Sequence, residues 1–212
     1  MPILRSTRAA ALGYVVATLL CLAGPSRGAL LLTEIHYNGS AAGSDPDEFL
    51  ELSNGGPTAI ALGGYAFDAG IGFSFGAGPL LAPGESLVIA RDRVLFENIF
   101  PGYAGPLFDF SGALSNSGER LRLLDNAGQS VWSVSYDDRP PWPVSADGGG
   151  FSLQLRVAGD PADPASWTAA LPNPGHWLAA AATTVPAPAT LALLPAGLWL
   201  LRRGRPRLKT TQ

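Results

Sequence analysis

An all-β antiparallel sandwich is the fold that the sequence predicts, on three observations. Short runs alternate apolar and polar residues, as in Phe151-Ser152-Leu153-Gln154-Leu155-Arg156-Val157, the period-two signature of a half-buried strand. Turn-formers punctuate these runs, at Asn54-Gly55-Gly56-Pro57, Gly63-Gly64, Pro83-Gly84, Asp125-Asn126-Ala127-Gly128 and Asp147-Gly148-Gly149-Gly150. Helical periodicity is sparse between them, and many short strands joined by glycine- and proline-rich turns pack as a sandwich or barrel.

The elements follow in chain order. Residues 1–28 read as a signal peptide: Met1 to Arg8 is basic, and Ala9 to Ala23 is an apolar run containing Leu12, Val15, Val16, Leu19, Leu20 and Leu22. Gly24-Pro25 breaks the run, and Ser26-Arg27-Gly28 sets small residues at the third and first positions before a cut after Gly28, with Ala29 as the alternative. The run is shorter than the roughly 20 residues that span a bilayer, which argues against an uncleaved anchor. A lipidated Cys21 is disfavoured by Leu20, where a small residue is expected.

Residues 29–178 form the predicted domain. Strand runs are read at Leu30 to Tyr37, Glu48 to Ser53, Tyr65 to Phe67, Phe73 to Phe75 and Ser86 to Ala90. Asp92 to Phe100 predicts one helix, with Val94, Leu95, Asn98 and Ile99 as a stripe laid on the sheet edge. Arg120-Leu121-Arg122-Leu123 alternates with arginine outward, and Trp132, Val134 and Tyr136 share one strand face while Ser133 and Ser135 share the other. The run at Phe151 is a further strand, and the expected arrangement is an immunoglobulin-like antiparallel β-sandwich. No repeat of about 20 to 50 residues occurs, which removes solenoids and propellers. Residues 179–184 read as a short spacer, and 185–207 as a tail.

That tail runs Val185-Pro186-Ala187-Pro188, then apolar residues from Ala189 to Leu201, then Arg202-Arg203-Gly204-Arg205. A helix from Val185 to Leu201 rises about 25 Å, short of the roughly 30 Å hydrocarbon core, and Pro195 interrupts it. A marginal transmembrane helix suits a temporary stop, with the arginines held on the cytoplasmic side.

Charge is segregated in the same way. Three arginines precede the domain and five basic residues follow it, whereas Ala29 to Val185 holds six arginines, no lysine and all 17 acidic residues, an excess of eleven negative charges. Such a surface repels phosphate backbones, so nucleic acid is not an expected partner. Cys21, the only cysteine, falls in the signal segment, so the mature domain is expected to carry neither thiol nor disulfide.

Two resemblances sharpen these expectations. The tail, through Val185, Pro186, Pro188, the Leu191-Ala192-Leu193-Leu194-Pro195-Ala196-Gly197-Leu198 run and Arg202-Arg203, resembles the PEP-CTERM sorting signal of Gram-negative bacteria. Ala187 stands where that family usually has glutamate. The resemblance implies processing by an exosortase after passage through the secretion machinery, and delivery to the cell surface or extracellular matrix. In the middle of the chain, Leu32-Thr33-Glu34-Ile35-His36-Tyr37-Asn38, Asp47-Glu48-Phe49-Leu50-Glu51-Leu52-Ser53-Asn54, Leu62-Gly63-Gly64-Tyr65, Leu81-Ala82-Pro83-Gly84-Glu85, Leu114-Ser115-Asn116-Ser117-Gly118-Glu119, Trp142-Pro143, Gly150-Phe151-Ser152-Leu153 and Ser166-Trp167 stand in the order of a lamin tail domain. That resemblance implies an immunoglobulin-like fold and a binding role, with no catalytic residues to carry over.

Enzyme chemistry has little to work with, and no catalytic residue is assigned. Only His36 and His176 occur, so histidine-rich metal centres are excluded by count, and there is no Gly-x-Ser-x-Gly, His-Glu-x-x-His, Walker loop or cysteine nucleophile. Glu34 and His36 share a strand face by the period-two rule and could act as an acid/base pair, although outward polar residues beside a buried Ile35 explain the same letters. Calcium is the one ion the acidic loops suggest: Asp45, Asp47 and Glu48, with Glu51 nearby, form the first cluster and Asp137-Asp138 with Asp147 the second, neither with EF-hand spacing. The competing reading makes Asp45 and Asp47 turn-formers and Glu48 a solvated residue at a strand start. Trp132, Trp142, Trp167 and Trp177 invite a carbohydrate reading against core or loop packing, which is the better expectation for most of them. The function expected is therefore an exported, surface-sorted, non-catalytic binding or structural module, with extracellular polysaccharide or protein as partner and no cofactor unless calcium. The alternatives are a secreted hydrolase subunit, acting through Glu34, His36, Glu51 or Asp137-Asp138, and a calcium-dependent adhesive domain.

Overall fold

Leu30 to Asn54 sets the architecture. In the computed structural model, which describes residues 30–39, 45–156 and 159–177, β1 (Leu30–His36) lies between β2 (Phe49–Asn54) and β10 (Ser152–Leu155). Ladder pairing then extends outward to β6 (Ser86–Ala90) and β7 (Leu107–Asp109) on one side and to β11 (Trp167–Ala170) on the other, giving a six-stranded sheet in the order β11-β10-β1-β2-β6-β7. A three-stranded sheet, β4 (Ala66–Ala69), β8 (Glu119–Leu124) and β9 (Ser130–Tyr136), and a small β3 (Ile60–Ala61) and β5 (Leu80–Leu81) pair complete the strands.

The core lies between the two larger sheets. Leu32, Ile35, Leu50, Leu52, Leu87, Ile89 and Leu153 on one side and Phe67, Leu121, Leu123, Val134 and Tyr136 on the other belong to one buried cluster. Arg122 points away from it to an ion pair with Asp68, as the alternation at Arg120 to Leu123 predicts. The all-β, immunoglobulin-like expectation holds in this coarse form. The predicted signal helix and transmembrane tail, including Gly28, Ala29, Val185, Pro186, Pro188, Arg202 and Arg203, lie outside the described residues.

Three details differ from expectation. One pair, β6 with β7, is parallel rather than antiparallel, because the chain between them crosses over through α1 (Arg93–Ile99). The run at Phe73 to Phe75 makes only the Ala66–Ser74 bridge and two backbone bonds to Tyr65 and Phe67. Helix α1 is present and Asp92 caps it by accepting from the Leu95 amide at 3.0 Å, yet its buried residue is Phe96, while Val94 and Ile99 are 64% and 45% exposed. Aromatic packing decides the helix's roll: Phe96 stands edge-on to Phe49 at 5.3 Å and to Tyr103 at 5.4 Å, and Phe100 also contacts Phe49.

That contact covers the outer face of the large sheet at β2 and β6, where Phe49, Val88 and Ala90 form a second core under α1. Residues 171–177 cross the same outer face at β1, β2 and β10, tied to Glu34, Glu51 and Gln154. The large sheet is thus covered on both sides.

Candidate functional site

A β-bulge builds the site. Along β1 the pairing with β2 shifts between Leu32 and Glu34, so Leu32 faces Leu52 and Glu34 faces Glu51. Without the extra residue, Leu30 and Leu32 would be followed inward by Glu34 and His36. With it, Ile35 and Tyr37 take the core side, and Glu34 and His36 turn to the outer face beside Glu51 and Ser53.

The expected exposure of Glu34 and His36 is corrected here: they are 2% and 4% exposed, and Glu51 beside them is 1% exposed. β1 is a central strand, and α1 and the 171–177 segment roof the face onto which its polar side chains turn. Each carboxylate is met by donors. Glu34 Oε1 accepts from Ser152 Oγ at 2.5 Å, from Gln154 Nε2 at 3.4 Å and from the Asn173 amide at 3.2 Å. Glu51 Oε1 accepts from Thr33 Oγ1 at 2.6 Å and Ser53 Oγ at 3.3 Å, and Glu51 Oε2 accepts from the Gly175 amide at 2.5 Å.

Burial pushes the Glu34 carboxyl up to about 8, against the pull of the Ser152 hydrogen bond, and the neighbouring Glu51 pushes the same way. Burial also raises Glu51, opposed by its hydrogen bonds from Thr33, Gly175 and Ser53 and by the nearby His176. Beside the pair lies a cavity of about 220 Å³, lined by Thr33, Glu34, Glu51, Gln154, Arg156, Asn173, His176 and Trp177 among others. A second, about 370 Å³, lies on the other flank of the same segment and is lined by Glu85, Ser86, Tyr103, Pro106, Pro174 and His176.

Asp45, Asp47 and Glu48 do not converge. Asp45 Oδ2 accepts from Asn116 Nδ2 at 2.9 Å, Asp47 Oδ2 lies 3.4 Å from His36 Nε2, and Glu48 pairs with Arg91 at 3.0 Å and accepts from the Leu114 amide at 2.8 Å. The hydrogen bond from His36 holds the Asp47 carboxyl below its usual range. Burial raises Glu48 to about 7 despite the Leu114 amide and Arg91. The reading of Glu48 as a solvated strand-start residue is corrected by its 1% exposure, whereas the turn at Asp45 is present, with the Glu48 amide donating to the Asp45 carbonyl. Asp137, Asp138 and Asp147 likewise take separate partners, the Arg139 amide, the Arg139 side chain and Asn38. Among the described residues no three His, Cys, Asp or Glu side chains gather as metal ligands do.

Of the tryptophans, Trp142 and Trp167 are buried with ring centres 5.8 Å apart, and Trp132 packs edge-on to Phe67. Among the described tryptophans only Trp177 lines the cavity, donating from Nε1 to the Leu155 carbonyl. Sequence reasoning passed over Asn173 and Gly175, whose amides complete the carboxylate pair. The cluster Leu171-Pro172-Asn173-Pro174-Gly175 was the available signal, a run of turn-formers just after a strand.

Set against known proteins, residues 23–138 match the family model of the lamin tail domain. No curated protein matches the chain. Among solved structures, it is similar to a DUF4876 family protein from Bacteroides thetaiotaomicron, at 14% identity and a TM-score of 0.47, covering 70% of this chain and 69% of that one.

Proposed function

Because the chain belongs to the lamin tail domain family, we propose that it is a non-catalytic binding or structural module, exported and sorted to the cell surface or extracellular matrix of a Gram-negative bacterium. The observation that carries the non-catalytic part is the use made of its buried carboxylates. A glycosidase-type or general acid/base pair needs carboxyl oxygens presented to a substrate. Here three of the four oxygens of Glu34 and Glu51 accept hydrogen bonds from the protein's own Ser152, Gln154, Thr33, Ser53 and two backbone amides. Such a pair supports a structural role, tying the 171–177 segment to the sheet.

Export is supported by the order of segments: a basic and apolar leader, an acidic domain, then Val185-Pro186-Ala187-Pro188 with a short apolar run and Arg202-Arg203. On this reading a secretion channel and an exosortase-type enzyme are its processing partners. Its ligand is an extracellular polysaccharide or protein, met by an acidic surface unsuited to nucleic acid. Mass spectrometry of the protein recovered from intact cells tests the proposal. It is expected to find a new N-terminus at Ala29 or one residue on, and a C-terminus trimmed near Pro188; an intact chain in the cytosol overturns it.

A further inference from the structure

The segment that follows β11 crosses the outer face of the large sheet and is moored to the two carboxylates beneath it. Asn173 donates its amide to Glu34, Gly175 donates to Glu51, Gln154 Nε2 reaches the Leu171 carbonyl at 2.8 Å, and Trp177 Nε1 reaches Leu155. Cavities flank it on both sides, and apart from Pro174 its residues are half-buried or exposed. It is a strip held over a groove by a few polar ties, with Pro174 buried and the Trp177 ring set against Gly55 as its apolar contacts.

Those ties rest on a pair that is hard to charge twice. Glu34 and Glu51 stand directly opposite each other on neighbouring strands, each almost wholly buried. Two carboxylates in such a place repel one another and lose their hydration, so ionising both is costly while the strip covers them and cheap once water reaches them. Among the described residues the charged or titratable groups that face the pair are few: Arg156 just after β10, His176 on the strip itself, and Tyr103 from the turn after α1. Ser152, Gln154, Thr33 and Ser53 add neutral donors.

We propose that residues 171–177 form a strap whose docking is controlled by the protonation of the Glu34–Glu51 pair, closed while the pair keeps a proton and released as that proton is lost. The direction follows from linkage. A closed strap favours the protonated pair and an open strap the solvated, ionised one, so rising pH shifts the balance toward opening. The raised Glu34 carboxyl, about 8 against an ordinary 4.5, sets the window between those two values. Opening would bare a polar groove over β1, β2 and β10 at the point where the chain leaves the domain for its tail.

Hydrogen exchange on the full chain tests this, with protection at the strap amides corrected for the intrinsic pH dependence of exchange. In the wild type, protection at Asn173 and Gly175 is expected to fall by up to about tenfold per pH unit from pH 5 to pH 8, while amides of β8 and β9 hold steady. In Glu34→Gln, which keeps the acceptor oxygen and cannot ionise, strap protection is expected to stay level, and Glu34→Ser, which cannot ionise either, serves the same purpose should the first variant fold poorly. Strap protection independent of pH in the wild type overturns the proposal. So does a pH dependence that survives in both variants, or one shared equally by β8 and β9.

Discussion

Thr33 is the residue on which the site turns. It is the extra residue of the β1 bulge, and its hydroxyl donates to Glu51. Three letters, Glu34-Ile35-His36, read as outward polar residues on either side of an inward apolar one, and Ile35 is indeed in the core. What alternation hid was the bulge upstream and the roof above, since a strand covered on both faces carries its polar residues into the interior. The consequence is measurable as a pH dependence. Glu34 and Glu48 keep protons in the fold to about 8 and about 7, which the unfolded chain sheds near 4.5. The unfolded state therefore binds fewer protons in that interval, and stability falls as pH rises through it, by up to about 1.4 kcal/mol per pH unit for each group. Thermal melts are expected to show a higher midpoint at pH 5 than at pH 8.5, and Glu34→Gln is expected to narrow that gap. Glu48→Ala strips the Leu114 amide and Arg91 of their buried acceptor, and chemical denaturation is expected to register a loss of about 1–3 kcal/mol.

At the scale of elements, helix α1 shows where pattern reading succeeds and where it stops. Its existence and its start at Asp92 were legible, because a capping aspartate followed by helix-compatible residues is a local signal. Its facing was not, because seven residues make two turns and the hydrophobic stripe is too short to outweigh one aromatic anchor. Phe96→Ala is expected to cost about 3–5 kcal/mol in equilibrium unfolding, since it empties the centre of the Phe49, Phe100 and Tyr103 cluster. Val94→Lys on the exposed side is expected to change stability by less than about 0.5 kcal/mol, a contrast the sequence-predicted stripe would not produce. The strands of two or three residues, β3, β5 and β7, were missed for a related reason: runs that brief carry no period to read.

At the scale of the whole molecule, the β-sandwich was visible from turn-formers and alternation, while the pairing order was not. Order depends on contacts between distant segments, and the centre of the large sheet is such a contact: Ile35 on β1 pairs with Leu153 on β10. The family match ends at residue 138, before β10 and β11 begin. A fragment of residues 29–138 therefore lacks the strand beside β1 along with the buried Leu153, Leu155 and Trp167. It is expected to melt without a cooperative transition by circular dichroism, whereas residues 29–178 are expected to melt in one.

That long-range pairing also constrains how the chain is made. The first strand to emerge from a ribosome finds one of its two partners only after more than a hundred further residues have followed it. Loop-closure entropy keeps so distant a contact from forming early, and sheets assembled this way complete themselves slowly. A polypeptide built on that plan holds its central strand paired along one edge alone, against β2, until the residues beyond 152 have been made.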